Sequence, residues 1–116
     1  MKAIKHFLII DDDRQNNFLT EMALKKSFAA VTVMVFMDPT VALQHIENNF
    51  PLPSAERVTI ILDINMPTMS GWEFIEKLKT LPDSITEQFS IYMLSSSIDP
   101  TDISLLICIT LLNDDL

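Results

Sequence analysis

Three carboxylates at two places in the chain carry its most promising chemistry. Asp11 and Asp12 follow the apolar run HFLII (6–10), and Asp63 ends a β-branched run, VTIILD (58–63). Both runs have the length and composition of buried strands. Each therefore delivers its acid to the C-terminal end of a strand, where open α/β sheets hold their ligands. Acids crowded there repel one another unless something neutralises them. A small set of oxygen ligands, with positions left for water and phosphate, suits Mg²⁺ or Mn²⁺. His6 begins a strand and His45 lies on a helix with no second ligand nearby, so both read as structural or exposed.

The elements that position these acids are legible from turn and capping residues. After Asp63 come Asn65, Met66, Pro67, Met69 and Gly71. Pro67 fixes one φ and Gly71 permits φ > 0, which describes a tight loop before a helix. Ser70 and Glu73 form a capping box, Phe74, Ile75, Leu78 and Leu81 make an apolar stripe, and Pro82 bars continuation. Upstream, Phe18, Leu19, Met22, Ala23 and Leu24 recur at helical spacing over 14–28, with Asp13 as N-cap. VTVMVFM (31–37) is a strand; Asp38 caps a helix that opens on Pro39 and runs to about Asn49, and PLPSAER (51–57) is a loop. Ser90 to Leu94 is a fourth strand, ending at Ser95, Ser96 and Ser97, and Asp99-Pro100 starts another helix. Trp72 and Tyr92 are expected to pack. Strands alternating with helices imply parallel pairing with right-handed crossovers, hence a doubly wound α/β layer.

Composition narrows the function classes. At 116 residues the chain is expected to be one domain, 1–116, with any output module elsewhere. Sixteen acids against eight bases give a net charge of −8, which disfavours sequence-independent attraction to nucleic acid or anionic membrane. The single Cys108 cannot form an intrachain disulfide, and no signal segment opens the chain, so a cytoplasmic location is expected. The run 103–112 is about half of the ~20 residues that a membrane-spanning helix needs.

The acid pair after the first strand and the pattern D-x-N-M-P-x-M-x-G after the third resemble the receiver domain of two-component response regulators. The resemblance runs from Phe7 to about Asp102 and rests on Asp11 with Asp12, Asp63, Pro67 with Gly71, and Ser95, in the family's order. It implies a flavodoxin-like sheet of order 2-1-3-4-5. It also implies that Asp63 accepts a phosphoryl group from a phosphohistidine donor, a sensor histidine kinase or phosphotransfer protein. By the same resemblance, Asp12 and Asp63 bind Mg²⁺ (or Mn²⁺) directly, the Asn65 carbonyl completes the protein ligands, and Asp11 acts mainly through water. Ser95 matches the switch hydroxyl and Ser96 the small residue beside it.

After residue 102 the pattern departs from the family. A lysine that contacts the phosphoryl group in the family has no counterpart: Lys79 is the last lysine, and neither Lys nor Arg follows it. Residues 103–112 (ISLLICITLL) are apolar on every side. The expectation is a receiver lacking its usual fifth strand and last helix, open to homodimerisation through the incomplete sheet edge or the apolar tail. Two other readings stand beside it. A degenerate receiver would act as a phosphorylation-independent interaction module. A haloacid dehalogenase-type enzyme would want an acid two residues after its nucleophile, where Asn65 stands.

Overall fold

The computed structural model describes residues 4–53 and 56–94. Strand β1 spans Lys5–Ile10, helix α1 Arg14–Ser27, β2 Val31–Phe36, α2 Pro39–Asn49, β3 Val58–Asp63, α3 Gly71–Leu78, α4 Asp83–Thr86 and β4 Phe89–Leu94. Among the described residues four strands form one parallel sheet in the order β2-β1-β3-β4. This is the expected doubly wound topology over its first four strands. Ser95, Ser96, the helix start at Asp99, the apolar run 103–112 and the place of a fifth strand lie outside the described residues.

Strand alternation divides the core between the two faces of the sheet. Leu8, Ile10, Ile60, Leu62, Ile91 and Met93 face α2 and α3, where they meet Ala42, Ile46, Phe74 and Leu78. Phe7, Ile9 and Ile61 face the other way and join Leu24 of α1. β1 and β3 are thus covered on both faces, which is why their sequences are continuously apolar rather than alternating.

The caps fall where the sequence places them. The Asp13 carboxylate accepts from the N–H groups of Gln15 and Asn16, and that of Asp38 from Thr40 N–H with Pro39 in the first turn. The Ser70–Glu73 capping box is complete in both directions.

Four features differ from the expectation. Helix α1 buries Asn17, Thr20 and Leu24, while Phe18 and Met22 of the apolar series are 61% and 46% exposed. The inner stripe is set by Leu24 and the residues one and two turns before it, and two of those are polar. Trp72 is 54% exposed rather than packed, because α3 turns Gly71, Phe74, Ile75 and Leu78 inward. Gly71 does not use a positive φ. Finally, α4 is a single capless turn between Pro82 and β4, too short to leave a periodic signal.

Candidate functional site

Register brings the acids together. Ile10 of β1 lies beside Leu62 of β3, so the next residues, Asp11 and Asp63, leave neighbouring strands side by side. Asp11 N–H donates to the Phe36 carbonyl at 3.1 Å and Ile64 N–H to the Leu94 carbonyl at 3.0 Å, which extends the ladders to the crevice floor. One carboxylate oxygen from each of Asp11, Asp12 and Asp63 can be chosen so that all lie within 4.8 Å of one another. Asp11 and Asp63 are only 7% and 8% exposed, whereas Asp12 is open to solvent. That spacing and an all-oxygen donor set fit a hard divalent cation with part of its coordination left to water.

The electrostatics show what this crowding costs. Burial, reinforced by the charges of Asp63, Asp12 and Asp13, raises the Asp11 carboxyl from the ordinary 3.8 to about 6; the hydrogen bond from Asp13 N–H, 2.9 Å long, opposes the rise. Asp63 is also raised, first by burial and then by the charge of Asp12. Hydrogen bonds from Asn65 and Ile64 N–H and from the Asp11 side chain hold it back. The Asn65 N–H lies 3.4 Å from the Asp63 carboxylate, a weak contact.

Gly71 is required here by space. A Cβ on it would stand 2.8 Å from the Asp63 carbonyl oxygen and 3.1 Å from Ile64 Cα, both backbone atoms. Gly71 N–H donates to the Ile64 carbonyl at 2.7 Å. The glycine thus lets the start of α3 lie directly against the strand end that carries Asp63. Pro67 is exposed on the surface of the loop between them, and the buried Met66 and Met69 anchor that loop in the core.

Asn17 escaped the sequence reading. It is 4% exposed, and its Nδ2 donates to the Asp11 carbonyl at 2.9 Å. The available signal was its position seven residues before Leu24, on the inward stripe of α1, where a polar residue needs a partner. His6 does serve the fold: Nδ1 hydrogen-bonds the Thr32 hydroxyl at 2.8 Å and Nε2 pairs with Glu56 at 2.6 Å.

An open parallel sheet with an acidic crevice where β1 and β3 end defines a flavodoxin-like α/β protein. A match to the response regulator receiver domain covers residues 7–108, and the chain belongs to that family. Among solved structures it is similar to a response regulator receiver protein from Dyadobacter fermentans, with 29% identity and a TM-score of 0.71 over 88% of this chain and 76% of that one. It is similar to a two-component response regulator from Cytophaga hutchinsonii at 28% identity and a TM-score of 0.71, over 89% and 77% of the two chains. A receiver domain protein from Methanospirillum hungatei, 17% identical with a TM-score of 0.66 over 96% and 95%, shares the fold. No curated protein matches significantly. Among the described residues no helix is long and apolar enough to cross a membrane.

Proposed function

We propose that this domain is a phosphoacceptor in a two-component phosphorelay, taking a phosphoryl group on Asp63 from the phosphohistidine of a sensor kinase or phosphotransfer protein. The observation that carries the reading is the cluster Asp11, Asp12 and Asp63 at the carboxyl end of a receiver-family sheet. An Asp63 carboxylate oxygen attacks the phosphorus in line; the O–P bond forms as the P–N bond breaks, and the imidazole keeps the electron pair and takes a proton. A Mg²⁺ or Mn²⁺ ion held by Asp12, Asp63 and the Asn65 carbonyl, with Asp11 acting through water, would offset the charge gathering on the phosphoryl oxygens. The protein's own part is placement. Register sets Asp63 beside Asp11, the Asn65 and Ile64 N–H groups steady its carboxylate, and Gly71 lets α3 close against its backbone. In this reading Ser95 and Ser96 supply the switch contact and its small neighbour, the domain works in the cytoplasm without nucleic acid or membrane, and a homodimer would use the sheet edge or the apolar tail.

A second reading, an interaction module independent of phosphorylation, is favoured by the lack of any lysine or arginine over residues 80–116. Intact-mass analysis after incubation with acetyl phosphate and Mg²⁺ separates the two. The proposal expects one added phosphoryl group on the parent and none on Asp63→Asn. An unmodified parent, or a phosphoryl group retained by Asp63→Asn, would contradict it.

A further inference from the structure

Asn17 is a buried amide that is only half satisfied. Its Nδ2 donates to the Asp11 carbonyl, but Oδ1 is buried with no hydrogen-bond partner among the described residues. Flipping the amide would set oxygen against the Asp11 carbonyl oxygen, so the orientation is fixed and the orphan acceptor with it. An unsatisfied buried acceptor is a cost; a leucine of similar size would remove it, at the loss of the Asp11 carbonyl's donor. Sequences that break a packing rule without a gain in stability do so mostly where function needs it.

The gain lies in what the amide holds. Asn17 N–H donates to the Asp13 carbonyl at 3.0 Å, closing the first turn of α1, while its side chain reaches past that turn to the Asp11 carbonyl. Asp13 N–H donates to the Asp11 carboxylate in turn. The peptide before Asp12 is therefore tied to the helix through Asn17 and the one after it to the Asp11 carboxylate, and Asp12, exposed between them, takes its direction from this frame.

From this we infer that Asn17 is a positioning residue that holds the β1–α1 acid pair in cation-binding geometry. The inference rests on the cation site proposed above and adds a residue that touches neither cation nor phosphoryl group. Groups that orient metal ligands from behind cost 10- to 100-fold in affinity when removed, roughly.

Calorimetric titration with Mg²⁺ of the parent, Asn17→Leu and Asn17→Ala, each with its melting temperature measured without Mg²⁺, decides the matter. Asn17→Leu is expected to melt near the parent temperature, since the orphan oxygen is gone but the Asp11 carbonyl loses its donor, and to bind Mg²⁺ about tenfold or more weakly. Thr20→Val, on the same buried stripe, should keep the parent affinity. A folded Asn17→Leu with the parent's affinity overturns the inference and leaves the cation site standing. A parent that binds no Mg²⁺ overturns both. If leucine prevents folding, Asn17→Ala is judged by the same affinity criterion. If neither variant folds, the residue is structural and the inference falls.

Discussion

At the amino end of the sheet, charge meets a partner: His6 lies between Thr32 and Glu56, linking β1, β2 and the residues that lead into β3. At the carboxyl end, like meets like, and Asp11, Asp12 and Asp63 share one crevice with two of them almost buried. The first arrangement is what a fold builds for its own sake. The second costs stability and persists because the surrounding backbone over-determines it: ladder bonds run to the crevice floor, Asp13 caps α1, and Gly71 seats α3. The contrast separates side chains paired within the fold from like charges gathered in one crevice, the pattern that marks a candidate site.

The largest effect is expected at Gly71. Gly71→Ala places a methyl against the Asp63 carbonyl and the Ile64 backbone, neither of which can yield without moving β3 or α3. Overpacking of this kind costs about 1–3 kcal/mol. The urea midpoint should fall accordingly, and an unchanged midpoint would show that the crevice wall is soft.

Acidity should have a smaller effect. The folded Asp11 carboxyl, at about 6, stands above its ordinary 3.8, so the folded state holds that proton more tightly than the unfolded one. Its stabilising contribution is complete below pH 3.8 and is lost as pH rises through 6; Asp63, raised in the same direction, adds to the trend. Without divalent cation the domain should be more stable at pH 5 than at pH 7.5, by about 1–2 kcal/mol once solvent access through the open crevice is allowed for. Asp11→Asn should flatten this slope. Urea denaturation of both proteins at the two pH values is the check, and an equally steep slope in Asp11→Asn would place its origin elsewhere.

Much of the fold was legible because its signals are local. β-branched runs, Asp13, Asp38 and the Ser70–Glu73 box each specify an element or its start through a few adjacent residues. The acid cluster was legible because strand order and register follow from the element pattern. What stayed hidden depends on three-dimensional facing. The inner stripe of α1 runs through Asn17 and Thr20, so counting apolar residues selected Phe18 and Met22 instead. Gly71 reads as a turn residue in one dimension and as a contact with the Asp63 carbonyl in three. The His6–Glu56 pair spans fifty residues that no local rule connects.

Melting the parent and Asp12→Ala across a Mg²⁺ titration at pH 7.5 decides whether the acid cluster at the carboxyl end takes up a cation. Binding to the folded state alone should raise the parent's melting temperature progressively as Mg²⁺ exceeds its dissociation constant. Asp12→Ala should lose the rise. A parent melting temperature that stays flat to millimolar Mg²⁺, or a rise of equal size in Asp12→Ala, would rule out a cation site at these acids.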